Sequence, residues 1–325
     1  MQNAGMRRQI IYIVLLLFIC YSCGNPSGHG SDNNTITIAS LNGPSSMALI
    51  RLIDSLDRGA DNNIKVDILD EPVQVRKMML DGSADFAILP TTMAAILYNK
   101  GLDYRLAAIP VWGTLFLFGH DTTVKSWQDL RGKKVYIMAR GMTPDVLFRY
   151  LLEKNGIIPD QDVMLDYSFP THLDLANAVA AGKADLGVIS EPLMSIVMNR
   201  NRSVHAIIDL NNEWNRLLGV PLAQTSLLVK GSLRETDQDM VTKILAGCER
   251  SVNWVNSNHD SAAVLMVRYN LLPDNNTALD AIPRSNMNFK LAKDIRNGIE
   301  EYLSVFYEMN PDIIGGQIPD ENFIY

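Results

Sequence analysis

Cysteine is scarce, with three in 325 residues. Cys20 and Cys23 fall at the end of an apolar leader, which leaves Cys248 alone in the mature chain, so no disulfide framework is available. Cys248 lies on a face with Met240, Ile244 and Val252 at four-residue spacing and reads as a small core hydrophobe of a helix. Positive charge is also short, with 29 Lys and Arg against 36 Asp and Glu for a net charge of -7. Without a clustered basic run there is nothing to neutralise a phosphate backbone, which excludes nucleic acid as a partner. The five histidines (His29, His120, His172, His205 and His259) are scattered, with no metal-ligand spacing. There is no G-x-S-x-G elbow and no P-loop. The expectation is no enzyme, no catalytic residue, no metal and no cofactor; His172 reads as a surface histidine at a helix start. Low-complexity tracts are absent too.

No apolar run is long enough to span a membrane. Ile10 to Ile19 is half of the roughly 20 residues required. Preceded by Arg7 and Arg8 and followed by small residues, it reads as a signal peptide over 1–22. The Cys20-Tyr21-Ser22-Cys23-Gly24 junction resembles a bacterial lipoprotein box with Cys23 as the lipidated residue. Residues 23–34 then form a polar tether between lipid and fold.

What the sequence has is a repeat. Asp81 to Met93, DGSADFAILPTTM, returns as Ala181 to Met194, AGKADLGVISEPLM, with Gly82, Ala84 and Asp85 matched by Gly182, Ala184 and Asp185. Lys65 to Pro72 matches Val163 to Pro170, and Thr35 to Ser46 matches Lys133 to Pro144, both 98 residues apart. Each half is strand, glycine turn, helix, strand, helix, strand, so the fold class is α/β with two βαβαβ units in series. Continuous apolar runs such as Phe86 to Leu89 predict strands buried on both faces. The expected lobes are 35–118 with 224–325, and 119–223. From Leu233 the apolar spacing predicts helices to near the end (232–256, 261–269 and 289–307), cladding the first lobe.

In open α/β sheets ligands bind beyond the carboxyl ends of strands. Asp85 and Asp185 begin their strands and are expected to be structural. The carboxyl ends instead present Ser45 and Ser46, Thr91 and Thr92, Trp112 to Thr114, Met142 and Thr143, Tyr167, Thr171 and Glu191. Helix starts at Ser45, Thr92 and Thr143 would turn backbone N–H groups into a cleft between the lobes.

Ser126 to Val135, SWQDLRGKKV, with Gly141, GKADLGVISEP and an extended Gln224 to Val229, resembles the periplasmic substrate-binding proteins of ABC importers. Within these the chain is similar to the nitrate, sulfonate, taurine and thiamine-precursor group. The resemblance implies a type II periplasmic binding protein of two lobes that close by a hinge over one small molecule. It further implies a permease and its ATPase as partners, a lipid-anchored periplasmic location and a monomer. Its binding positions carry over to Ser45, Ser46, Thr91, Thr92, Gly113, Thr114, Thr143 and Glu191, with Trp112 and Tyr167 placed to stack on a ring. Where the family often follows the second glycine turn with a small hydroxyl residue, Met142 follows Gly141. That tilts the cleft from an anionic oxyacid toward an apolar or aromatic heterocyclic solute. Enzymes of pyrimidine or menaquinone precursor synthesis and a ligand-sensing receptor are the competing expectations on this scaffold.

Overall fold

The computed structural model describes residues 35–325. The expected signal peptide, the lipidation of Cys23 and the tether lie outside the described residues. Among the described residues no helix is long and apolar enough to cross a membrane.

The first segment runs β1 (Ile36–Leu41), α1 (Pro44–Ala48), α2 (Ile50–Asp57), β2 (Ile64–Leu69), α3 (Pro72–Leu80), β3 (Phe86–Pro90), α4 (Thr91–Asn99) and β4 (Tyr104–Val111). The second is β5 (Leu115–Gly119), β6 (Lys134–Tyr136), α5 (Thr143–Lys154), β7 (Met164–Asp166), α6 (His172–Ala180), β8 (Leu186–Ser190), α7 (Leu193–Arg200), β9 (His205–Asp209) and α8 (Leu210–Leu218). The third is β10 (Thr225–Lys230), α9 (Gly231–Thr236), α10 (Gln238–Ser257), α11 (His259–Arg268), α12 (Asn275–Arg284), β11 (Met287–Leu291) and α13 (Arg296–Met309).

Local chemistry sets the starts. At α3, Glu71 accepts from the N3 backbone while the Gln74 side chain takes the Glu71 N–H at 2.9 Å, a capping box with Pro72 at the first helical position. Thr171 caps α6 by accepting the Asp174 N–H at 3.0 Å. Asp85 ties the starts of β1 and β3, its Oδ2 taking the Thr37 N–H at 2.9 Å, which is the structural role expected of it.

The strands form two sheets, β11-β4-β10-β3-β1-β2 and β7-β6-β8-β5-β9. The sequence repeat is visible in these orders: β2-β1-β3 corresponds to β7-β6-β8, and in each sheet the next strand runs antiparallel, β10 of the third segment beside β3 and β5, the strand that opens the second segment, beside β8. In β3, Phe86 and Ile88 face one apolar cluster and Ala87 and Leu89 another. Both faces of that strand are therefore buried, each large side chain contributing roughly 1.5–3 kcal/mol. The Ala87–Leu89 cluster runs on through Trp112 and Leu115 to Trp214 and Phe148, so both lobes share one continuous core.

Three expectations need correction. Leu115–Gly119 pairs with β8 and β9, so residues 115–118 belong to the second lobe. The crossing falls at Trp112–Thr114, because the composition shift at His120 comes only after the second lobe's first strand. The stretch 287–291 is a strand, paired with β4, and takes up residues 289–291 of the helix expected over 289–307. Its alternation of buried Met287 and Phe289 with exposed Asn288 and Lys290 has period two. Nor do the C-terminal helices clad only the first lobe: α12 packs on α7 and α13 on α5.

Candidate functional site

Two helices begin where the sheets face each other, α4 directly behind β3 and α5 behind the Arg140–Met142 turn. The hydroxyls of Thr92 and Thr143, one from each lobe, meet at 2.8 Å, and both residues are buried. Two lobes linked through the onsets of two helices at the carboxyl ends of their strands form a closed cleft.

The sequence-predicted residues divide around that contact. Thr91 is buried, its hydroxyl taking the Ser226 Oγ–H at 2.8 Å while its N–H goes to the Gln224 carbonyl at 3.0 Å. Ser46 donates to the Leu41 carbonyl at 2.7 Å and packs its hydroxyl against that of Ser40 at 3.0 Å, whereas Ser45 is buried beside it. These serines brace the turn after β1, which approaches the second lobe where Gly43 lies against Pro192.

Trp112, Gly113 and Thr114 form the crossing between lobes. The Trp112 indole N–H donates to the Asn288 carbonyl at 2.6 Å and the residue is buried, which makes it an anchor of the crossing rather than a stacking platform. The Gly113 carbonyl accepts from the Asn286 side chain. Thr114 is held by Gln224 through both backbone N–H (2.9 Å) and hydroxyl (3.2 Å), and its carbonyl takes the Glu191 N–H at 3.0 Å. A Cβ on Gly113 would stand 2.6 Å from both Asn211 Cβ and Leu222 Cδ2, so only glycine lets the helix α8 approach here.

Three residues are not brought to the Thr92–Thr143 contact. Met142 is exposed, and Thr171 is an exposed helix cap. Tyr167 donates to Asp145 at 2.6 Å, accepts from Arg149 at 2.8 Å and carries the Arg140 guanidinium over its ring at 4.9 Å. Burial and the neighbouring Asp145 push the Tyr167 phenol up to about 12.

Glu191 is buried, and its partners define its role. Arg284, at the end of α12, donates to Glu191 Oε1 at 2.7 Å and to Ser195 Oγ at 2.8 Å, while Ser195 donates to the same carboxylate at 2.8 Å. Burial pushes the Glu191 carboxyl up, against the opposing pull of Arg284 and Ser195. One turn further, Asn199 donates to Asp280 at 2.9 Å, so α12 and α7 are joined twice. Glu191 is thus committed to an ion pair that spans the lobes.

Sequence reasoning missed Gln224, Asn286 and Arg284. All three act across chain segments far apart in sequence, and the last two lie just before β11. The period-two alternation of 287–291 was the available signal. Among the described residues no group of three or more His, Cys, Asp or Glu is placed to hold a metal ion.

Comparison with known proteins agrees with this geometry. An ABC transporter from Parabacteroides distasonis superimposes with a TM-score of 0.79 at 25% identity, covering 90% of this chain and 99% of that one. The periplasmic aliphatic sulphonate binding protein SsuA from Escherichia coli gives 0.69 at 17% identity over 90% of each chain. The periplasmic nitrate-binding protein NrtA from Synechocystis PCC 6803 gives 0.60 at 13% identity, over 86% of this chain and 84% of that one. The curated Bacillus subtilis (strain 168) protein YtlA is 25% identical over 149 residues, 46% of this chain and 42% of YtlA, so the match spans less than half of that relative. A family model described as "ABC transporter, phosphonate, periplasmic substrate-binding protein" matches residues 40–262, more than half of the chain. The chain belongs to this family of periplasmic substrate-binding proteins of ABC transporters.

Proposed function

We propose that this protein captures a small molecule between its two lobes and delivers it to a membrane permease driven by an ATPase. The observation that carries the reading is the Thr92–Thr143 contact, which joins helix onsets of the two lobes at the carboxyl ends of their strands. Membership of a family of periplasmic binding proteins supports a periplasmic location. The finer reading is a lipoprotein held at the membrane through Cys23, with a monomeric binding unit made of lobes 35–114 with 224–325, and 115–223. Its action is closure over a solute rather than chemistry on one. Thr92 and Thr143 are the ligand-facing residues of this reading, with Ser45, Ser46 and Thr91 bracing them. Trp112, Gly113 and Thr114 form the hinge, and Glu191 holds the closed state.

The test is native mass spectrometry of the protein from Gly24 onward, followed by thermal shift against sulfonates, phosphonates, nitrate, heterocycles and amino acids. A solute at 100 times its Kd stabilises by about 2.7 kcal/mol. Such a shift is expected for one class and is lost in the Thr92→Val, Thr143→Val double variant, which keeps its shape because valine matches threonine in size. A clean mass and no shift in any class refute the reading. For the anchor, Cys23→Ala is expected to move the protein from the membrane fraction to the soluble periplasmic fraction; unchanged partition refutes it.

A further inference from the structure

The family description names phosphonate, and helix onsets suit anions, yet the helix onsets of this cleft are already committed. At α5, Pro144 supplies no N–H, and the Asp145 carboxylate occupies the first turn. Asp145 accepts from the Gly141 N–H at 2.7 Å, from Arg149 at 2.8 Å and from Tyr167 at 2.6 Å, so that onset holds its own anion. Arg149 is further shared with Asp160 at 2.9 Å. At α4 the first N–H belongs to the Gln224 carbonyl, and Arg284 is bound to Glu191. A buried oxyanion here would meet Asp145, and the one cation of this cluster without a carboxylate partner, Arg140, is exposed over the Tyr167 ring, so the buried charge would lack a buried counter-charge.

Of the five buried polar side-chain atoms without a partner among the described residues, three lie along one path from the Thr92–Thr143 contact. Beside that contact lies the Tyr302 phenol, pushed up by burial and close enough to Thr143 for that side chain to oppose the push, but without a hydrogen bond of proper geometry. The Tyr302 ring packs on Trp214 at 5.8 Å, and Asn211, three residues before Trp214 on α8, stands against Gly113 of the crossing. Tyr302 and Trp214 are both fully buried. The Tyr302 hydroxyl, the Trp214 Nε1 and the Asn211 Oδ1 have no hydrogen-bond partner among the described residues. Buried polar groups are paired in folded proteins with few exceptions, and each orphan calls for an explanation. Here the orphans are an N–H donor, a carbonyl acceptor and a hydroxyl able to act as either, and none of the residues on the path is charged.

Resting on the receptor reading, we propose that the solute is small and uncharged and presents a carbonyl acceptor with a neighbouring N–H donor, as in an amide, imide or lactam. The indole N–H and the phenol donate to its carbonyl, and Asn211 accepts its N–H.

The experiment is calorimetric titration and thermal shift with hydantoin, 2-pyrrolidinone and nicotinamide against ethylphosphonate and methanesulfonate, on the wild type and on Tyr302→Phe. At least one of the three uncharged probes is expected to bind. Tyr302→Phe, which removes one oxygen and leaves the ring, is expected to weaken that binding about tenfold while the melting temperature of the free protein is unchanged or raised. Tighter binding of either anion, or equal binding of the uncharged probe by Tyr302→Phe, overturns the proposal and leaves the receptor reading standing. No shift with any probe overturns the uncharged-solute class, and only a further failure of every class in the wider screen removes the receptor reading as well.

Discussion

The ion pair between Arg284 and Glu191 allows a closure device to be tested without knowledge of the solute. Replacing Arg284 with Met keeps the aliphatic stem and deletes the charge, leaving a fully buried carboxylate with only Ser195 as partner. Removing one partner of a buried pair costs about 3–5 kcal/mol. Because the Arg284 side chain is 29% exposed, the low end applies and about 3 kcal/mol is expected. At the roughly 2 °C per kcal/mol of a domain this large, Tm falls by about 6 °C. The double variant Arg284→Met, Glu191→Gln leaves no uncompensated charge and is expected to recover most of the loss. The sign of the pH dependence follows from burial, which raises the Glu191 carboxyl in the folded state. In Arg284→Met the carboxyl rises further, so the cost is present in full above its folded pKa and is relieved as pH falls toward the ordinary carboxylate range. Urea unfolding at pH 7.5 and at pH 5 measures both terms, and solution scattering reports whether the lobes separate. A single variant within 0.5 kcal/mol of wild type, or a double variant no more stable than the single, would refute the latch.

Gly113→Ala places a Cβ 2.6 Å from Asn211 Cβ and Leu222 Cδ2, neither at the free end of a long side chain, so closure is strained by roughly 1–3 kcal/mol; a denaturation midpoint equal to wild type refutes this. Against the expectation of a surface histidine, His172 is half-buried, its Nδ1 is buried without a partner among the described residues, and burial pushes its pKa down to about 4. The fold therefore favours the neutral ring, and its contribution, at most about 3 kcal/mol, is present above pH 6.5 and lost as pH falls toward 4. His172→Gln is expected to flatten the stability profile between pH 7 and pH 4, and an unaltered slope counts against a sealed imidazole.

The parts of the fold legible in the sequence are those decided by short-range pattern. The repeated GxAD turn with its apolar run gave β3 and β8, and the matching strand–helix words gave the correspondence of β2-β1-β3 with β7-β6-β8. Less legible was the departure of β5 to the second sheet, whereas the return of β10 to the first was read from the extended run before Val229. Leu106 to Phe118 reads as one extended run, and nothing local states that Leu115 turns away from β4 to pair with β8. In the candidate site, the expectation for Thr92 and Thr143 rests on strand ends and helix starts, which are local features, and the structure brings their hydroxyls together. For Trp112 and Glu191 sequence spacing could not supply the partners that hold them, Asn288 for the indole and Arg284 for the carboxylate.

Those two partners lie within five residues of each other, and that placement links the crossing to the cleft. The segment from Arg284 to Asn288 reaches the second lobe through Glu191, holds the Gly113 carbonyl through Asn286 and takes both the Trp112 backbone and indole N–H groups. It also continues into β11, hydrogen-bonded to β4 of the first lobe. Opening the lobes must therefore break the buried ion pair while the crossing stays anchored by Asn286 and Asn288 of the same segment. On the proposed site, closure is then a balance between the buried ion pair and whatever a bound solute would add at Thr92 and Thr143. A weakened pair shifts the protein toward the open form and lowers solute affinity without altering a ligand-facing side chain.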